Sequence, residues 1–157
     1  MNNHLSDDPN YKLWVLLHQT RDVLHKVREK EVAKHGVTAV QSAVLFIISA
    51  NGGEDVTTAT ISNWLLREPH TISTTLTRMA KQGLIEKITN RDRGGELTVR
   101  LTKKGQDIYN KTTNIDIINE MLADISEEER ELLRSLLTKV RSQGLKQLFS
   151  VKNTVYP

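Results

Sequence analysis

Cysteine is absent from this chain of 157 residues. No disulfide scaffold, thiolate metal site or cysteine-based redox sensor can be built from it, and a reducing compartment suits the composition. A chain of this length needs no staples, because it buries roughly 70% of the surface its unfolded form would expose. It suits one compact domain better than two. Long apolar runs are missing as well. The longest, Ala43 to Ile48, falls far below the ~18 residues that a membrane span needs. The opening residues, MNNHLSDDPN, carry neither a basic nor an apolar region, so no signal peptide is expected. The expectation is a cytoplasmic protein with no membrane role.

Catalytic signatures are equally scarce. There is no Walker loop, no G-x-G-x-x-G and no G-x-S-x-G. Serines are plentiful, but none has a His and acid partner by motif. His4, His18, His25, His35 and His70 form no His-x3-His pair and no H-E-x-x-H, so neither a metal nor another cofactor is expected. The acidic run Glu127 to Glu131 reads as helix capping and dipole chemistry. Nothing here points to an enzyme.

What the chain does have is an uneven charge. Between Arg67 and Lys104 stand nine basic and four acidic residues, a net +5, while the remainder of the chain is −2. A basic segment on a slightly acidic body is the footprint of a polyanion binder.

The order of elements places that charge. Asp8-Pro9 opens a helical pattern that runs to about His35, with Gly36 as its C′ residue. Thr38-Ala-Val-Gln41 is a capping box. It opens a helix with Val40, Ala43, Val44, Ile47 and Ile48 inward, closed by Asn51-Gly52-Gly53. Thr57 or Thr58 caps a short helix around Ile61 and Leu65. Pro69 suits a first helical position, and Ile72, Leu76 and Met79 form the apolar stripe of the helix that follows, which Gly83 ends. The period then changes to alternation in 84–88 and 97–101, which predicts two strands joined by a basic turn. Thr102 caps a helix carrying Ile108, Tyr109, Ile115, Ile118 and Leu122. Ser126-Glu-Glu-Glu129 is a second capping box, ahead of a helix with Leu132, Leu133, Leu136, Leu137 and Val140.

Helix, tight turn, helix and hairpin make a winged helix-turn-helix. The fold class expected is mainly α with a small β-hairpin wing, flanked by long N- and C-terminal helices. The second helix leaves His70, Thr71, Ser73, Thr74, Thr75, Thr77, Arg78 and Lys81 on its outer face. The major groove of DNA admits a helix, and short hydroxyl side chains let it approach closely. Arg91 and Arg93 stand on a glycine-containing loop at the hairpin tip, where an arginine can enter a narrow minor groove.

These motifs resemble those of the MarR family of bacterial and archaeal regulators. Val37-Thr-Ala-Val-Gln41 followed by Ala43-Val-Leu45 is similar to the family's L-T-x-x-Q-x-x-V-L. Ile72-Ser-Thr-Thr-Leu76-Thr-Arg78 followed by Lys81-Gln-Gly83-Leu84-Ile85 resembles its recognition helix and first wing strand. Arg91-Asp-Arg93, then Val99-Arg-Leu101-Thr102-Lys-Lys-Gly105, resembles its wing and the L-T-x-x-G that opens the next helix. The wing departs from the family's Asp-x-Arg, since Arg93 follows Asp92 directly, so either Arg91 or Arg93 is left as the minor-groove residue.

The resemblance implies one domain over 1–157. The winged helix-turn-helix would lie at 38–105 and dimerisation helices at 8–35 and 106–150. It implies a homodimer on double-stranded DNA at a pseudo-palindromic operator, working as a ligand-responsive repressor. It also implies a small aromatic or phenolic effector, for which Trp14, His18, Arg21 and His25 are candidates by position. His18, Arg21 and His25 share a helix face at spacings of three and four. The rival readings are a winged-helix protein-interaction module without sequence-specific DNA binding, and a non-specific architectural DNA binder.

Overall fold

The computed structural model describes residues 5–52, 55–90 and 96–148. The chain divides into two compact units, the first ending at Asn114 and the second beginning at Ile115.

The first unit opens with a 3-10 turn, Leu5–Asp7, and helix α1, Pro9–Ala33. Asp8 caps α1 by accepting from the Tyr11 amide at 2.9 Å, and Gly36 (φ 75°) lets the chain leave it. Helix α2, Ala39–Ala50, begins on the expected capping box. The Gln41 amide donates to Thr38 Oγ1 at 3.2 Å and the Thr38 amide to Gln41 Oε1 at 3.0 Å. After strand β1, Val56–Thr57, come α3, Thr58–Leu65, and α4, Pro69–Lys81. Strands β2, Ile85–Asn90, and β3, Glu96–Leu101, follow, then α5, Lys103–Thr112.

The core is where these elements meet. Val32, Val44, Leu45, Ile47, Ile48, Ile61, Ile72, Leu76, Met79 and Val99 are almost wholly buried, with Ile108 and Tyr109 packed against them. Leu45 joins the inward set predicted for α2, so that helix is buried on most sides. Phe46 escapes and meets Trp64 edge to face, 6.3 Å between ring centroids. Neither tryptophan is a core residue, since Trp14 is 58% and Trp64 37% exposed.

Two features differ from the expectation. The sheet has three strands, in the order β1-β3-β2, all antiparallel. Strand β1 is only two residues long and exists by pairing Val56 with Val99 and Thr57 with Thr98. No local alternation can announce a strand that short. The helix capped by Thr102 also stops early. Thr112 Oγ1 donates to Tyr109 O at 2.9 Å and Thr113 Oγ1 to Asn110 O at 2.7 Å, taking carbonyls at the helix end. Arg28 takes another, Nη2 to Thr112 O at 2.6 Å, while also bonding Ser42 Oγ at 3.3 Å. One side chain of α1 thus ties α2 and the end of α5 together.

The second unit contains α6, Asp116–Met121, and α7, Glu127–Leu148. Its capping box forms as expected. The Ser126 amide donates to Glu129 Oε2 at 2.9 Å and the Glu129 amide to Ser126 Oγ at 3.3 Å. Arg130 closes the turn before it by donating to Leu122 O and Ile125 O. Leu132, Leu133, Leu136, Leu137 and Val140 are all exposed. Among the described residues no helix is long and apolar enough to cross a membrane.

Candidate nucleic-acid interface

Helices α3 and α4 are joined by a three-residue turn. Leu66 takes the left-handed conformation (φ 50°) at the end of α3. The Arg67 amide reaches Ser62 O at 3.1 Å and the Leu66 amide reaches Asn63 O at 3.3 Å, the bond pattern of a Schellman motif. Glycine normally occupies such a position. It does so at the end of α4, where Gly83 (φ 70°) sits in the same pattern, Leu84 N to Met79 O at 3.0 Å and Gly83 N to Ala80 O at 2.9 Å. Pro69 starts α4 one residue after Glu68, whose side chain provides no cap.

Helix α4 separates its faces sharply. Ile72, Leu76 and Met79 are fully buried, while His70, Ser73, Thr74, Thr77, Arg78 and Lys81 are exposed. Thr71 and Thr75 are half-buried at the edge between the faces. Three threonine hydroxyls donate back along the helix: Thr74 to His70 O at 3.0 Å, Thr75 to Thr71 O at 3.0 Å and Thr77 to Ser73 O at 2.9 Å. Their protons are committed, so each of these hydroxyls has only lone pairs left for another partner. Ser73, Thr74, Thr77, Arg78 and Lys81 line a shallow groove of about 330 Å³.

One basic residue of this surface was not singled out from the sequence. Lys87, on β2, donates from Nζ to Thr77 Oγ1 at 2.7 Å. It brings a positive charge from the wing strand onto the outer face of α4. Its spacing of ten residues from Thr77 gives no local signal; the pairing of β2 with β3 and the turn at Gly83 create the contact. Arg100 is used differently. Its Nε pairs with Asp55 Oδ1 at 3.1 Å, fastening β3 to the segment before β1. Arg91 and Arg93 lie outside the described residues, between the paired ends Asn90 and Glu96 of the hairpin.

The end of α4 is clamped by the start of α5. Lys104 Nζ donates to Gln82 O at 2.8 Å, Thr102 Oγ1 to Gly83 O at 2.7 Å and the Thr102 amide to Leu84 O at 3.2 Å. Gly105 allows the close approach: a Cβ there would lie 1.9 Å from Leu84 O.

On α1, Trp14, His18, Arg21 and His25 are all exposed. The Trp14 and His18 rings lie 4.3 Å apart at 44°. His18 Nδ1 donates to Trp14 O at 2.9 Å, since a carbonyl only accepts. Arg21 pairs with Asp22 at 3.1 Å. Among the described residues no three His, Asp or Glu side chains group closely enough to hold a metal ion.

A buried-stripe helix with a polar outer face, a left-handed turn before it and an antiparallel hairpin after it define a winged helix-turn-helix. Residues 35–94 match the sequence model of the MarR family. This segment is thus similar in sequence to the MarR family. The fold around them is that of MarR-type transcriptional regulators. It is similar to the organohalide-sensing transcriptional regulator RdhR in its 2,4-dichlorophenol-bound form, at 26% identity and TM-score 0.87, over 100% of this chain and 94% of that one. It is also similar to a mutant of MarR from E. coli complexed with operator DNA, at 21% identity and TM-score 0.77, over 89% of this chain and 99% of that one. The MepR–DNA complex from S. aureus matches at 21% identity and TM-score 0.72, over 90% of this chain and 99% of that one. A comparison of the sequence with curated proteins gives no match.

Proposed function

We propose that this chain is a homodimeric, ligand-responsive transcriptional repressor that reads a pseudo-palindromic operator through α4 and the β2–β3 wing. The observation that carries the reading is the outer face of α4. Six exposed polar or basic side chains line it, among them Thr74 and Thr77, whose hydroxyl protons are committed to the helix, with Lys87 beside them. Such a face suits the major groove: lone pairs accept from the amino groups of adenine and cytosine, and threonine methyls meet thymine methyls. Arg78 and Lys81 supply charge for bases or phosphates, and Arg91 and Arg93 on the wing supply it for the backbone or the minor groove. The DNA target of this reading agrees with a cytoplasmic location.

The dimer is supported by apolar side chains that are exposed among the described residues of each unit. Leu13, Trp14, Leu16, Val23 and Leu24 on α1 are exposed, as are Leu132, Leu133, Leu136, Leu137 and Val140 on α7. Contiguous apolar faces of this kind mark interaction surfaces, and the 8–35 and 106–150 segments are the dimerisation helices of this reading. Two-fold symmetry then sets two copies of α4 about one DNA turn apart. RdhR has been seen with 2,4-dichlorophenol, which supports a small phenolic effector here, with Trp14, His18, Arg21 and His25 as candidate contacts. Effector binding would shift the spacing of the two recognition helices, to the extent that it favours one arrangement over the other.

The test is duplex binding across a salt series, with sedimentation of the free protein. The reading requires a dimer and a steep salt dependence that flattens when Arg78, Arg91 and Arg93 become alanine. A monomer without salt-steep duplex binding would instead favour a protein-interaction module. Equal affinity for every duplex would favour an architectural binder.

A further inference from the structure

Gln41 uses its one amide twice. Its Oε1 accepts from the Thr38 amide at 3.0 Å and completes the cap of α2. Its Nε2 donates to Gln82 Oε1 at 2.8 Å. Gln41 is only 3% exposed, so water cannot easily replace either partner. Gln82 is the C-cap of α4, and it is held from both ends: its side chain by α2, and its carbonyl by Lys104 of α5. The first turn of α2 is itself fixed to α1, since Glu29 Oε2 accepts from the Ala39 amide at 2.6 Å. Arg78 stands one turn before Gln82. With Glu29, Thr38, Gln41 and Gln82 it lines a cleft of about 250 Å³.

We propose that the Gln41–Gln82 amide pair is a positioning latch that sets the pose of the C-terminal half of the recognition helix, and through it the discrimination of operator from other DNA. The proposal rests on the reading of α4 as a DNA-binding helix. Moving the end of α4 away from α2 would leave a buried amide donor unpaired, and that penalty exceeds the small net gain of an ordinary exposed hydrogen bond. The latch therefore favours one pose. Contacts to base edges demand that pose, because they depend on hydrogen-bond geometry. Contacts to phosphates tolerate small displacements and carry no sequence information. Loss of the latch should lower specific binding and spare non-specific binding.

The test uses the full chain with two duplexes: one enriched from a randomised pool by the wild-type protein, and a shuffled duplex of the same length. Gln82→Met removes the acceptor at an exposed helix end, so the fold is kept. Gln41→Glu retains an acceptor for the Thr38 amide, and a turned Gln82 amide can donate to the new carboxylate, rebuilding the latch. Gln82→Met should bind the enriched duplex about tenfold more weakly, and Gln41→Glu should stay within about twofold of wild type. Both should keep the wild-type affinity for the shuffled duplex and the wild-type salt slope. Without DNA, amide exchange at Gly83 and Leu84, which close the end of α4, should quicken in Gln82→Met and not in Gln41→Glu. Full discrimination by Gln82→Met, an equal loss on both duplexes, or a Gln41→Glu variant as weak as Gln82→Met would overturn the latch. If the wild-type protein showed no salt-steep binding to either duplex, the DNA-binding reading itself would fail. The latch would then be decided by exchange alone, with unchanged exchange in Gln82→Met overturning it.

Discussion

Gly105 and Gly144 both sit within helices, and the same substitution should act on them with opposite sign. In an ordinary helix interior, glycine to alanine gains about 0.5–1 kcal/mol because alanine orders more cheaply. Among the described residues nothing lies within 4 Å of a Cβ added at Gly144, on α7, so Gly144→Ala should show that gain. At Gly105 the new Cβ would lie 1.9 Å from Leu84 O and 3.0 Å from Leu84 C. Carbon and oxygen need more than 3 Å, and the obstacle is backbone, so the start of α5 must move by about 1 Å or more. That movement breaks or stretches the three bonds that α5 gives to Gln82 O, Gly83 O and Leu84 O. At about 0.5–1.5 kcal/mol net for each bond, the loss is about 2–4 kcal/mol. The helix-propensity gain offsets less than half of it. Gly105→Ala should therefore destabilise by about 2–3 kcal/mol, measured by urea unfolding at a fixed chain concentration. Because the broken bonds clamp the end of α4, the duplex affinity proposed for that helix should fall with it. A Gly105→Ala protein as stable as wild type, or a Gly144→Ala protein less stable, would refute the reasoning.

Leu66 pays a steric penalty for its left-handed conformation without being buried, so Leu66→Gly should raise stability by about 0.5–1 kcal/mol in the same unfolding assay. Replacing Lys87 by methionine removes one cation from the face of α4, and the slope of log affinity against log salt should fall by about one, the effect of losing one phosphate contact. Glu128 is held below the usual glutamate range by the hydrogen bond from its own backbone amide and by the Ser126 hydroxyl. A folded-state value lowered in this way adds stability above the unfolded-state value, and the contribution is lost as pH falls through the folded-state value. Glu128→Gln should therefore flatten the acid limb of the stability profile and leave its neutral region less changed; an unaltered acid limb would count against the assignment.

The caps and the strands were open to reading because their chemistry is local. Asp8, Thr38 with Gln41, Thr57, Thr102 and Ser126 with Glu129 all act on amides within three residues of themselves, so spacing alone reveals them. The stripe Ile72, Leu76, Met79 follows from helical periodicity, and it places the outer face of α4 by subtraction. The basic balance of 67–104 is likewise a property of composition. From these came the element order, the winged helix-turn-helix and the family resemblance. What the one-dimensional pattern could not show was every feature made by residues distant along the chain. Strand β1 needs β3 to exist. Lys87 reaches Thr77 only once the hairpin has folded back on α4. Gln41 looks complete as a capping residue, and its bond to Gln82, 41 positions away, is invisible until α2 meets α4. Gly105 reads as a family letter, and only the nearness of Leu84 O explains why no side chain fits there. Hydrogen bonds across three or four residues are dictated by covalent connection, whereas those between elements depend on how the buried apolar surfaces dock.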